Sequence, residues 1–277
     1  MFFKLKNVFK DKKLIDECFN DFQSFENTSL YNGSIGYIKS KFASLKARTF
    51  SEAYVKYNFN SVWKAQILAR KNGGLSGQYQ WMRLKELAEI QSQIEFKRVL
   101  ELGTGASTKM FSELVGKDGK VVSLEESEHW LQRTTESVGK LENTEFIHCE
   151  RIVEVVDEEI VVRYRAPENI YKENYDLVYI DGPTTKLSQD EIARIKGEIP
   201  DTISNTVATI DSDLLMKNGI RPKLVVVDGK RPSIRWMFRR WEKDYHLFVR
   251  SIYLPYRDRT STLLYHSIFV RKDLLRN

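Results

Sequence analysis

The chain has 277 residues, 42% of them hydrophobic, 12% aromatic and 30% charged, and a formal net charge of +6. These proportions exclude intrinsic disorder as the main state, and 14 Gly and 6 Pro in no fixed period exclude collagen-like and low-complexity chains. Two distant cysteines, Cys18 and Cys149, form neither a disulfide framework nor a CxxC zinc site, and the longest aliphatic run, Leu224–Val227, is far too short to span a bilayer. The N-terminal stretch MFFKLKNVFKDKK has scattered lysines and no apolar h-region, so no secretory signal is read and a reducing cytoplasm is the expected location. The length fits one large α/β domain with an accessory segment, or two small domains.

Residues 1–72 read as a mainly helical N-terminal cap, with polar loops near Asn27–Ser29 and Tyr31–Gly36. Within it, Phe50, Ala53, Tyr54, Tyr57, Val62, Trp63 and Ile67 recur at helical spacing. Asn72-Gly-Gly-Leu-Ser-Gly77 is the clearest punctuation and marks a hinge, after which residues 73–277 form the second unit. Gln78–Gln91 is an amphipathic helix with Trp81, Leu84, Leu87, Ala88 and Ile90 near one side.

From residue 97 short apolar strands alternate with helices: strand Arg98–Leu102, helix Ser107–Val115, strand Lys120–Glu125, helix Ser127–Gly139 and strand Glu145–Cys149. Asp176–Asp181 and Lys223–Asp228 are strands of the buried type. This alternation predicts βαβ units and a mostly parallel sheet. Ile152–Tyr164 reads as an inserted hairpin, Ser188–Met216 as a long helical connection, and Tyr245–Leu254 with Ser261–Val270 as an antiparallel C-terminal pair. Residues 141–201 carry 15 acidic and 7 basic side chains, whereas residues 217–277 carry 15 basic and 5 acidic ones. Either the two regions pack together and cancel, which the dispersed bases favour, or the basic end meets a polyanion such as RNA.

The strongest local signal is Val99-Leu-Glu101-Leu-Gly103-Thr104-Gly105-Ala-Ser-Thr108. A buried strand ends in a Gly-x-Gly turn that opens a helix; the backbone turns sharply there and lets a ligand approach unhindered by Cβ atoms. About 20 residues on, the next strand ends in Glu125, placed to accept both hydroxyls of a ribose. This is an adenine-nucleoside site, for a dinucleotide or for S-adenosylmethionine. Thr108 stands where a dinucleotide fingerprint wants a third small residue, and Glu101 would repel a pyrophosphate but suits a cationic sulfonium cofactor.

With these residues in place, residues 97–230 resemble a class I S-adenosylmethionine-dependent methyltransferase. Glu101-Leu-Gly103-Thr104-Gly105 is similar to the family's first motif, which implies that the turn lies along the cofactor's amino-acid part. The resemblance further implies that Glu125 holds the ribose and that Glu150, closing Phe146-Ile-His148-Cys149-Glu150, contacts the adenine amino group, although Cys149 stands where Gly is usual. It places Asp181, in Tyr175-Asp-Leu-Val-Tyr-Ile-Asp181-Gly182-Pro183, at the methyl-transfer site. The expected fold is a Rossmann-like methyltransferase sheet with an N-terminal helical segment.

Methyl transfer to a hydroxyl needs alignment and a base. Asp181 is the first candidate, with His148 and Lys186 secondary. Asp181-Gly-Pro replaces the Asp/Asn-Pro-Pro-aromatic signature of base and amide N-methyltransferases, so the resemblance points to O-methylation of a small molecule or sugar-type acceptor. Some such relatives hold a divalent cation between acids of the fourth and fifth strands; Asp181 and Asp228 are the corresponding pair for Mg²⁺, with Gly229 removing the usual second ligand. Trp130 reads as an adenine cover or a helix-packing residue, and Lys230, Arg231 and Arg235 as contacts to an anionic substrate or a solvated helical turn. Gln78 and Tyr79 are candidates for the cofactor mouth. The competing functions are a methyltransferase on RNA or another polyanion, an NAD-dependent oxidoreductase on a Rossmann fold, and a non-catalytic cofactor-binding or scaffold protein.

Overall fold

A computed structural model describes residues 49–71, 80–196, 207–255 and 260–275. Most of the expected cap, the Asn72–Gly77 hinge, Gln78, Tyr79 and Cys18 lie outside the described residues. Five parallel strands form the centre of a seven-stranded sheet: β1 Arg98–Leu102, β2 Lys120–Glu125, β3 Thr144–His148, β6 Leu177–Ile180 and β8 Leu224–Asp228. The terminal strands β9 Tyr245–Pro255 and β10 Thr260–Arg271 complete it in the order β3-β2-β1-β6-β8-β10-β9. The antiparallel C-terminal pair is present, with one refinement. Only β10 runs against the sheet, because β9 is placed beyond it and the return strand fills the gap beside β8.

Side-chain alternation sorts the strands between two cores. Leu100, Leu102, Val122, Leu124, Val178, Ile180, Val225 and Val227 point to one face. There they meet helices α6 Asp211–Lys217 and α7 Arg231–Trp241. Val99, Val121, Leu177, Leu224 and Val226 point to the other face, against α2 Gln80–Gln91 and α3 Ala106–Val115. Both faces are covered, which is why these strands read as continuous apolar runs. At the carboxyl end the second face turns polar: Glu101, Ser123, Tyr179 and Asp228 occupy it and are buried. Chain reversal from parallel strand to strand thus leaves the glycine turn, Glu125 and Asp181 on one edge of the sheet, the edge where open α/β sheets bind ligands.

Residues 49–58 and α1 Asn60–Lys71 form one helical stretch interrupted at Phe59. Val55 and Val62 enter the same core as β1 and α2, and α1 packs across α3 and α4 Glu128–Val138. Of the residues at helical spacing, Phe50, Ala53 and Tyr57 face outward, and Val55 joins Val62 in the core. All five apolar positions read on α2 are buried.

The hairpin reads correctly as β4 Arg151–Val156 and β5 Glu159–Tyr164. It extends into a second sheet through the short parallel strand β7 Ala208–Thr209, inside the stretch expected to be helical. The rest of that connection holds α5 Gln189–Lys196 and α6. The acidic and basic regions do meet: Arg239 pairs with Glu159 (2.5 Å) and Arg240 with Asp157 (2.5 Å). Among the described residues, no helix is long and apolar enough to cross a membrane.

Candidate active site

Gly103 leaves β1 at φ +98, a conformation that favours glycine, and its N–H donates to Leu124 O (2.8 Å). The turn is locked from behind by Glu101. Its carboxylate accepts hydrogen bonds from Ser107 Oγ (2.6 Å), Thr108 Oγ1 (2.5 Å) and Ser123 Oγ (2.6 Å). Thr108 Oγ1 also accepts from the N–H of Gly105 (3.0 Å), so the residue that broke the dinucleotide pattern couples the turn to the first helical residues of α3. Burial pushes the Glu101 carboxyl up to about 7, against the lowering effect of the three hydroxyls. Glu101 therefore lies behind the turn rather than in a ligand-facing wall, and acts on any ligand through the shape of the turn.

In front of the turn is a cavity of about 330 Å³, within the range of small-ligand sites. Gly103, Thr104, Gly105, Glu125 and Asp181 all line it, so the structure brings together five of the residues named from sequence. Glu125 is buried at the end of β2. Its Oε2 accepts from Thr104 N (3.0 Å), and its Oε1 accepts from Ser127 N (2.9 Å). These bonds hold the carboxylate at the cavity with lone pairs left to accept from a diol. Trp130, partly exposed on α4, and Ala65, Gln66 and Ala69 of α1 form further walls. Trp130 is thus a cavity residue rather than a packing one.

Asp181, Gly182, Thr184, Glu126, Tyr164 and Lys230 also line the cavity. Glu126 accepts from Thr184 N (2.7 Å) and faces Arg151 at 3.6 Å. Burial raises its carboxyl, and these two partners partly offset the rise. Lys230 Nζ donates to Pro183 O (3.0 Å). Burial lowers its ammonium, while Asp181, Asp228 and Glu126 pull it back up. Three acids, Glu125, Glu126 and Asp181, and two bases, Arg133 and Lys230, line this cavity. The sequence reading gave Glu126 and Tyr164 no role at the site. Glu126 is simply the neighbour of Glu125, and Tyr164 belongs to an insertion with no motif of its own.

Other expected residues lie elsewhere. His148 is exposed, with Nε2 3.1 Å from Glu126 O. Glu150 is exposed and paired with Arg165 (2.8 Å), and Lys186 is exposed on the loop after β6. None of the three lines the cavity. Arg235 is exposed on α7. Asp228 is 5% exposed and committed: Arg83 of α2 stands 2.8 Å from Oδ1, and Tyr179 Oη donates to Oδ2 (3.2 Å). One helical turn further along α2, Glu86 Oε2 meets Nδ1 of His266 (2.8 Å), whose strand position pairs with Asp228. A guanidinium thus occupies the charge-balancing position beside Asp228, and the pair Asp181–Asp228 does not fit a shared divalent cation. Among the described residues, no group of three or more acidic, His or Cys side chains could hold one.

The sheet order with one reversed strand, with the glycine turn and the carboxylate ending β2 on one edge, is a Rossmann-like methyltransferase fold. The family model of protein-L-isoaspartate(D-aspartate) O-methyltransferase matches residues 40–171, just under half of the chain. That stretch holds the glycine turn, Glu125, Glu126, Trp130 and Tyr164 of the cavity lining and stops short of Asp181 and Lys230. Among solved structures, a proposed O-methyltransferase from Klebsiella pneumoniae is similar in fold, with a TM-score of 0.50 and 12% identity over 83% of this chain and 99% of that one. So is a proposed caffeoyl-CoA O-methyltransferase from Staphylococcus aureus, with a TM-score of 0.50 and 12% identity over 81% and 98%. No curated protein matches the sequence.

Proposed function

We propose that the protein methylates an oxygen atom of a small acceptor. One observation carries the reading: Asp181 and Lys230 line the same cavity as the glycine turn and Glu125, so an acid and an ammonium border the space beside that turn. When bound, S-adenosylmethionine supplies an electrophilic methyl on a sulfonium. The chain's own part is to align an oxygen nucleophile and manage its proton. Asp181 is exposed to the cavity and is suited to accept the acceptor's hydroxyl proton as the new C–O bond forms. Lys230, fixed by Pro183 O with further N–H groups available, is suited to orient the acceptor oxygen. Asp181-Gly-Pro at the end of β6 and the oxygen-methylating family model both support oxygen as the nucleophile. His148 and Lys186 are not assigned a step, since neither reaches the cavity.

The same reading makes residues 1–72 a cap that helps select the acceptor. The walls contributed by Ala65, Gln66 and Ala69 support it. A panel of hydroxyl, carboxyl and amine acceptors, assayed by release of S-adenosylhomocysteine, tests the proposal. Oxygen acceptors are expected to turn over, and Asp181→Asn is expected to lower kcat by about 10²–10⁴-fold. Turnover confined to amines, or an Asp181→Asn variant with full activity, would contradict it.

A further inference from the structure

Tyr164 ends β5 in the inserted hairpin, and its side chain is fully buried. Among the described residues its hydroxyl nevertheless has no hydrogen-bond partner. Leaving such a group unsatisfied is costly, and phenylalanine would fill the same space without that cost. Tyr175, Ser212 and Ser267 also carry buried hydroxyls unpartnered among the described residues, but none of the three lines the cavity, whereas Tyr164 does.

The position of the hydroxyl is specific. A Cβ on Gly182 would overlap Tyr164 Oη and would stand 3.0 Å from the backbone of Gly103. The phenol oxygen therefore lies against the residue that follows Asp181, beside the crossing of the glycine turn and the β6 loop. Tyr164 is also held in advance. Its N–H donates to Asp211 Oδ1 (2.9 Å), and Tyr171 Oη donates to the same oxygen (2.6 Å). Burial, reinforced by Glu125, Glu126, Asp211 and Asp181, keeps the phenol well above its ordinary value, so it presents an O–H at neutral pH. A polar group fixed at a ligand cavity and left unsatisfied matches preorganisation for a ligand atom.

We infer that Tyr164 Oη hydrogen-bonds the amino-acid end of S-adenosylmethionine, the end that the Gly103–Gly105 turn lines. The inference rests on the methyltransferase reading and adds a contact from outside the motif set. It makes Tyr164 a positioning residue supplied by the hairpin. In the ligand-bound protein the orphaned hydroxyl gains its partner.

Two probes separate this role from a structural one. S-adenosylhomocysteine retains the amino-acid end, and 5′-methylthioadenosine lacks it. Both are titrated calorimetrically into the wild type and Tyr164→Phe, alongside thermal melts of the ligand-free proteins. Ligand-free Tyr164→Phe is expected to melt at the wild-type temperature or above, because it removes an unsatisfied hydroxyl. Its Kd for S-adenosylhomocysteine is expected to rise about 5–30-fold, with its Kd for 5′-methylthioadenosine within about 2-fold of wild type. Unchanged affinity for S-adenosylhomocysteine overturns the inference. Equal weakening of both probes also overturns it, because the hydroxyl would then only shape the pocket. A wild type that binds neither probe overturns the methyltransferase reading itself, and the inference with it.

Discussion

Replacing Gly103 with alanine is expected to weaken S-adenosylhomocysteine binding about 100-fold or more and to destabilise the fold by about 2–4 kcal/mol. Two effects combine. At φ +98 a side chain is strained, and its Cβ would stand 2.7 Å from Gly182 N and 3.1 Å from Asp181 C. Those neighbours are backbone atoms, so relief requires the glycine turn and the β6 loop to separate, and both are cavity walls. Gly105→Ala provides the contrast. Gly105 is in extended backbone at φ 179, and its Cβ would meet only Ser107 Oγ at 3.7 Å. That variant is expected to keep the wild-type melting temperature and to lose affinity only through the methyl group added to the cavity wall. Calorimetry and thermal melts on the two variants check the pair of outcomes. Equal binding by Gly103→Ala and wild type would remove the turn from the site.

Arg83→Met is expected to be among the most destabilising single changes, at about 3–5 kcal/mol, because it leaves the buried Asp228 carboxylate without its cation. The loss carries a sign in pH. Burial, followed by the charge of Asp181, already raises the Asp228 carboxyl despite Arg83. Removing Arg83 raises it further. Above the unfolded pKa the unfolded chain releases this proton while the folded chain retains it, so stability falls as pH rises until the folded group also ionises. Arg83→Met is therefore expected to be less damaging at pH 5 than at pH 8. The double variant Arg83→Met/Asp228→Leu removes the uncompensated charge and is expected to recover most of the loss, with little pH dependence. Urea unfolding at the two pH values measures this. A pH-independent loss, or no recovery in the double variant, would show that Arg83 matters for packing rather than for charge.

The same pair explains a limit of the sequence. Asp228 closes a buried strand at the expected edge, and motif spacing alone made it a partner for Asp181 in holding a cation. Its actual partner, Arg83, is far away in sequence and arrives on α2, one helical turn before Glu86 meets His266. Helical periodicity reported the apolar side of α2, where Trp81, Leu84 and Leu87 are buried, but it contains no signal for which charged residue will lie over a strand end.

The sheet was legible for a physical reason. Leu177–Ile180 and Leu224–Val227 are buried on both faces, so burial writes itself as an uninterrupted apolar run. The glycine turn was legible because its geometry restricts residue type: φ +98 at Gly103 and close backbone contacts leave little choice. Glu101 was located correctly but belongs behind the turn, since three hydroxyls from Ser107, Thr108 and Ser123 converge on it and only the folded turn brings them there. The two-residue strand β7 carried no periodic signal at all, being too short for one. Glu150 and His148 sit where linear spacing put them, next to a strand end, yet the β3 edge of the sheet leaves both exposed.

Equilibrium titration of the purified wild-type protein with S-adenosylhomocysteine, and in parallel with NAD, tests the central claim most directly. The cavity bounded by the glycine turn, Glu125 and Asp181 predicts saturable one-to-one binding of S-adenosylhomocysteine with a Kd of roughly micromolar order, and no binding of NAD. Saturation by NAD, or no uptake of S-adenosylhomocysteine at millimolar concentration, would contradict it.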